Sequence, residues 1–210
     1  MKKIEKAKDY ENVWNTHPKY FMAIKNLKYL RRWNRINRIV SSNVLGHTFL
    51  VSFLAIILSM LSIGEMKETN RPLTKVILRS IFHDVPESLT GDIITPVKKE
   101  IEKVSPTLLA EVEQDLQRKF VESAPDGVRS DVTSYGLLTE IDNKEIFSVA
   151  SMTKDCDRLA AVLECLYEKA SGISTHEIES AYADYLQDLA KSEWTSVKEF
   201  IQIINDSMRG

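Results

Sequence analysis

The segment Ser80-Ile-Phe-His83-Asp84-Val-Pro-Glu87-Ser-Leu-Thr90-Gly91-Asp92 sets an imidazole beside a carboxylate in a largely apolar stretch and strings two further carboxylates behind them. On a continuous helix, Glu87 would follow His83 by four positions and Asp84 by three, so all three heads would share one flank. Charge in such surroundings is normally neutralised, ion-paired or coordinated to a metal, and coordination suits a His-Asp pair best. Two more polar heads stand in apolar surroundings. His47 lies within 43–64, which contains no Asp, Glu, Lys or Arg, and Asp157 opens the apolar run that follows Arg158. His47, His83, Asp84 and Asp157 together make an N/O donor set that suits Mn, Fe, Co, Zn or Ni better than a thiolate-seeking metal. Each alone has a plainer reading, as a hydrogen-bonded core histidine or as a helix cap.

Read in order, His47, then His83-Asp84, then Asp157 is the signature of HD-domain metal-dependent phosphohydrolases. The surrounding words resemble one branch, the bacterial 5′-deoxynucleotidases, which release phosphate from deoxyribonucleoside monophosphates. Four blocks carry the likeness across about 25–175: Arg32-Trp33, Asn43-Val44-Leu-Gly-His47-Thr, His83-Asp84-x-x-Glu87-x-Leu-Thr90-Gly91-Asp92-x-x-Thr95-Pro96-Val97-Lys98, and the Asp157 segment. The resemblance implies one divalent ion on His47, His83, Asp84 and Asp157, and a guanidinium fork from Arg32 on the phosphate. It also implies Trp33 against the sugar or base, Asp92 toward the sugar or the attacking water, and Ile93, Ile94 and Thr95 in contact with the nucleoside. Glu87 would lie beside the ion without binding it. There it could position or deprotonate the nucleophile or protonate the leaving 5′ oxygen, or it could simply brace a ligand. In one place the chain departs from the branch: Gly46 stands where a Glu usually precedes the histidine, so orientation of His47 must come from elsewhere. Other readings are an HD phosphohydrolase of a ribonucleotide, an alarmone or another small phosphate ester, and a non-catalytic metal- and nucleotide-binding module. A binding module has no need of Glu87.

The elements that would hold these residues read as helices. The chain has 210 residues with 43% hydrophobic composition, enough for one sizeable core, and only 7 Gly and 6 Pro interrupt it. No alternating run long enough for a sheet occurs, so we expect a single all-α domain, a helical bundle of HD type around a buried mononuclear metal site. The pattern predicts helices over about 18–33, 42–63, 72–87, 97–123 with an interruption at Ser105-Pro106, 126–138, 143–171, 174–191 and 194–208. Ser174-Thr-His-Glu177 and Asp142-Asn-Lys-Glu145 have capping-box spacing, and Gly64 and Gly172 suit helix ends. His176 then falls in an exposed first turn and His17 in a loop.

A formal net charge of -2 argues against a dedicated binder of nucleic acid polymers. Lys25, Lys28, Arg31, Arg32, Arg35 and Arg38 form the one basic cluster, mostly a solvated face, with Arg32 the exception. The uncharged stretch 43–64 meets the length rule for a membrane span, yet His47, Thr48 and three serines interrupt it, and a central core helix fits better. Cys156 and Cys165 would lie about 13 Å apart along one helix, too far to bridge, and read as core thiols. With no charged-then-apolar leader at the start, the expected compartment is the cytoplasm, the expected partner a small nucleotide rather than a polymer or membrane, and a homodimer is possible because similar proteins often dimerise.

Overall fold

The computed structural model describes residues 18–34, 36, 38, 41–65, 72–126, 129 and 144–207. In chain order its helices are α1 Pro18–Asn26, followed by a 3-10 turn Leu27–Tyr29, then α2 Val44–Leu61, α3 Pro72–Phe82, α4 Glu87–Thr90, α5 Thr95–Val104, α6 Leu108–Glu122, α7 Lys144–Ala170, α8 His176–Leu189 and α9 Thr195–Ser207. The described residues contain no strand, only an isolated antiparallel bridge between Arg31 and Asn43.

Helices α2, α3 and α7 pack on one another, and α8 and α9 close over α7 and α2. Their shared core holds Leu54, Ala55 and Leu58 of α2, Val76 of α3, Met152, Cys156 and Leu159 of α7, and Val197 and Ile204 of α9. A second, smaller core gathers Ala23, Leu27, Val44, Val85, Phe120 and Ala124. Val44 belongs to this second core and Val51 to the first, so the α2 turn between them, which carries His47, lies where the two cores meet. A backbone there is fixed from both sides.

Several boundaries differ from the sequence expectation. The first helix stops at Asn26 rather than running to residue 33. Leu30 is extended, and the chain turns back so that the Val44 N–H donates to the Leu30 carbonyl and the Arg32 N–H to the Ser42 carbonyl. Like charges at three- and four-residue spacing from Lys25 to Arg32 oppose a longer helix there. The helix expected over 72–87 ends at Phe82. Residues 83–86 form a turn closed by the Val85 N–H on the Phe82 carbonyl and the Glu87 N–H on Asp84, before α4 begins after Pro86. The interruption at Ser105-Pro106 appears as the break between α5 and α6. The cap of α8 is Thr175, whose hydroxyl accepts from the Ile178 N–H, while Ser174 bonds Glu179 instead. Most of the helix expected over 126–138, the capping box at Asp142, and also His17 and Arg35, lie outside the described residues.

Helix α2 is long and apolar enough to cross a membrane by length and composition, yet about half of it is buried inside the fold. It is not apolar-packed all round, as a central helix would be. One face meets α3 and α7, and the other leaves Phe49, Phe53, Met60 and Leu61 exposed.

Candidate active site

The four donors of the expected set arrive from three separate segments. His47 comes from the first turns of α2, which Asn43 caps by accepting from the Gly46 N–H, and is 1% exposed. His83 and Asp84 come from the turn after α3. Asp157 comes from the middle of α7. Donor atoms of His47, His83 and Asp84 all lie within 4.8 Å of one another, and Asp157 joins them through a 2.7 Å contact from its Oδ1 to His47 Nε2. The Asp157 side chain stays 41% exposed, so the cluster is open on that side.

The protons in this cluster show what it is built for. The His83 Nδ1–H donates to the Ser80 carbonyl at 2.7 Å, which turns Nε2 toward Asp84 Oδ1 at 3.1 Å. His47 is likewise set between acceptors, with Asp157 on Nε2 and Glu164 Oε1 3.5 Å from Nδ1. A neutral imidazole has one proton for two such partners, so the second nitrogen calls for a proton or a cation. Burial pulls the His83 pKa down, but the Asp84 carboxylate outweighs it and the pKa rises to about 9. His47 is raised in the same way, Asp157 and Glu164 prevailing over burial. Against the opposite push of burial, Asp84 is held low by His83, and Asp157 is held well below the usual carboxylate range by His47. His83 Nε2 and Asp84 Oδ2 are buried without hydrogen-bond partners. A divalent cation would satisfy both, and the residues fit one.

Of the expected substrate-side residues, Arg32, Glu87 and Ile93 border this cluster. Glu87 opens α4, and its buried Oε2 has no partner. Burial, then the neighbouring Asp84 and Asp92 carboxylates, push its pKa up to about 8. It shares a cavity of about 140 Å³ with His83, Asp84, Gly91, Ile93 and Lys98. Arg32 Nη1 lies 3.7 Å from Asp84 Oδ2, with the side chain largely buried. Asp92 is half-buried, and its pKa is raised mainly by burial, with Arg32, Lys98 and the Trp33 backbone nearby pulling it the other way. Ile94 is extended and its carbonyl receives the Val97 and Lys98 N–H groups, while Thr95 is the first residue of α5 and its side chain lies outside the described ones. Trp33 has φ of 56°, an uncommon conformation for a bulky side chain.

Three contributors were not singled out from the sequence. Glu164 reaches His47, Trp33 and Arg32 together; its signal was a carboxylate inside an apolar run, seven positions after Asp157 and so on the same face of α7. Arg38 turns inward from the basic cluster to pair with the buried Glu168 at 2.8 Å. Lys98 lines the cavity beside Glu87 and lies 3.8 Å from Glu113. Lys25, Lys28 and Arg31 are solvated, His176 is exposed, and Cys156 and Cys165 are free buried thiols, as expected.

Residues 19–208 match the protein family described as 5′-deoxynucleotidase YfbR-like. The chain is 27% identical over 187 residues to a 5′-deoxynucleotidase of Erwinia tasmaniensis, covering 89% of this chain and 90% of that protein. It is 27% identical over 165 residues to a 5′-deoxynucleotidase of Vibrio cholerae, covering 77% and 79%. Among solved structures, an HD-domain phosphohydrolase from Listeria innocua shares the fold with a TM-score of 0.69 and 20% identity, over 90% of this chain and 87% of that one. A cyanophage S-2L HD phosphohydrolase bound to dA and one catalytic Zn2+ ion superposes with a TM-score of 0.53 and 16% identity, over 90% and 96%.

Proposed function

The chain belongs to the 5′-deoxynucleotidase YfbR-like family, and from that premise we propose how it acts as a metal-dependent 5′-deoxynucleotidase. The observation that carries the reading is the convergence of donor atoms of His47, His83 and Asp84 within 4.8 Å, with Asp157 on His47 and the buried, unpartnered Oε2 of Glu87 beside them. In this reading those four hold one divalent ion, with Mn, Co, Fe, Ni and Zn all suited to the donors. Such an ion supplies polarisation of a phosphoryl oxygen and a lowered pKa for water.

The protein's own residues do the rest. Arg32 presents a planar fork to the phosphate, and its present neighbour Asp84 keeps it aimed at the donor cluster. Glu87, with a pKa of about 8, is poised to give a proton to the departing 5′ oxygen or to take one from the nucleophile near neutral pH. Trp33 walls the sugar or base, Asp92 meets the sugar or the attacking water, and Ile93, Ile94 and Thr95 complete the nucleoside side. The Asp92 contact to the Trp33 backbone joins these two halves of the substrate region.

A phosphate-release screen over nucleoside mono-, di- and triphosphates, repeated with several divalent metals, tests the reading. We expect 5′-deoxyribonucleoside monophosphates to be hydrolysed in preference to 3′ isomers, with modest base discrimination. Equal turnover of 3′ isomers, or turnover of di- or triphosphates alone, would redirect the assignment to another phosphate ester.

We also place the protein in the cytoplasm as a homodimer. Two free buried thiols suit a reducing compartment. The exposed face of α2, with Phe49 73% and Phe53 52% exposed, is an apolar stripe that a second copy would cover. Light scattering should give twice the chain mass, and Phe53→Glu should give a monomer.

A further inference from the structure

We propose that Glu164 is a positioning residue, a single buried carboxylate that sets the proton of His47 and clamps the Arg32-Trp33 turn, taking over an orienting role that Gly46 cannot fill. The inference rests on the metallohydrolase reading above.

Its two oxygens divide the work. Oε1 is the carboxylate oxygen in reach of His47 Nδ1, at 3.5 Å, and that ring nitrogen has no hydrogen-bond partner. Oε2 accepts the Trp33 indole N–H at 2.7 Å and lies 3.7 Å from Arg32 Nε. Asp157 and Glu164 are two turns apart on α7, so one helix face addresses the imidazole at both nitrogens, Asp157 at Nε2 and Glu164 at Nδ1. Drawing the proton to Nδ1 leaves the Nε2 lone pair turned to the donor cluster, the arrangement a ligating histidine needs. No carboxylate reaches the ring from residue 46. A Cβ added there would have only Asn43 Oδ1 within 4 Å, at 3.5 Å, and the position is open to solvent.

The second task concerns Trp33. A bulky residue at φ of 56° persists only where its surroundings over-determine it. Its indole is tied to Glu164, Arg38 lies over its ring at 5.7 Å, and Tyr185 meets it edge-on at 6.5 Å. Of these partners, Glu164 also faces His47 and Arg32. One side chain therefore couples the metal-facing histidine to the phosphate-facing arginine.

Mn2+ titration calorimetry on the full chain tests this without using activity. Glu164→Ala should weaken Mn2+ binding by about 10- to 100-fold, the usual effect of losing a partner behind a ligating histidine. Glu164→Gln should lose several-fold, because one amide oxygen must serve two donors. Glu168→Gln, one turn further along α7, should bind Mn2+ as the wild type does even if it melts at a lower temperature. Wild-type affinity in the Glu164 variants overturns the inference, as does an equal loss in the Glu168 variant, which would reveal general loosening of α7. If the alanine variant does not fold, the glutamine variant is read by the same criteria. If the wild type binds another of the suited metals instead of Mn2+, that metal is titrated by the same criteria; a wild type that binds none of Mn2+, Co2+, Fe2+, Ni2+ and Zn2+ would overturn the metallohydrolase reading itself, and this inference with it.

Discussion

At the scale of single residues, the site is a set of proton positions that a divalent ion would take over. His83 carries a pKa raised from an ordinary 6.5 to about 9, so without metal its proton stabilises the fold below about pH 6.5 and that contribution is lost as the pH rises through about 9. Metal competes for the same nitrogen. Mn2+ affinity should therefore rise with pH across this window, and calorimetry in buffers of different ionisation enthalpy should show protons released on binding. His83→Ala and Asp157→Ala should abolish both the binding and the proton release; pH-independent affinity would contradict the assignment. Glu87 and Arg32 should separate from each other. Glu87→Gln should retain metal and nucleotide affinity while turnover falls by about a hundredfold or more. Arg32→Ala should retain metal but raise KM as well as lower kcat, because it removes a phosphate contact outside the donor set. Metal analysis and steady-state kinetics on both variants decide this, and metal loss in the Glu87 variant would move that carboxylate into the donor set.

At the scale of elements, the break after α3 matters more than the helix before it. Ending α3 at Phe82 places His83 and Asp84 in a turn, where backbone carbonyls such as that of Ser80 are free to orient an imidazole. The next break is Gly91, which ends α4 at φ 74° and ψ 168°, a region essentially reserved for glycine. Its N–H caps the Glu87 carbonyl, and the chain leaves toward Asp92, which the Trp33 backbone and Arg32 influence. Gly91→Ala should cost about 1–3 kcal/mol of stability and raise the KM for deoxynucleotide, with a smaller effect on metal affinity. Thermal melts and kinetics read these together. An alanine variant with wild-type melting and KM would show that the turn does not set the substrate side.

At the scale of the whole molecule, the site joins segments that are remote in sequence: α2, the turn after α3, and α7. An ion held by all of them would bind the folded chain and not the unfolded one, so it should stabilise by mass action, by about 2.7 kcal/mol when free metal is a hundredfold above its Kd. Chelation should lower Tm and abolish phosphate release together, and restoring the metal should recover both. Unchanged melting and full activity in excess chelator would remove the metal from the account.

Composition and helical periodicity determined the all-α class, and the His47, His83-Asp84, Asp157 order pointed to the donor set proposed above, because donors of this kind must be specific residue types wherever the chain places them. Capping and breaking residues determined most helix ends, such as Gly172 after α7 and Pro106 between α5 and α6. What the sequence left open was decided by groups far apart along it. The continuous helix expected through Glu87 gave way to a turn before Pro86, where His83 bonds the nearby Ser80 carbonyl and Asp84 faces Arg32 and His47 from distant segments. The first helix stopped at Asn26 because Leu30 and Arg32 found backbone partners at Val44 and Ser42. Glu164 gained its place only when α7 packed against α2, bringing one carboxylate to His47 across 117 positions of sequence. Local patterns specify which residues can do chemistry, but only packing brings two of them within a hydrogen bond's reach.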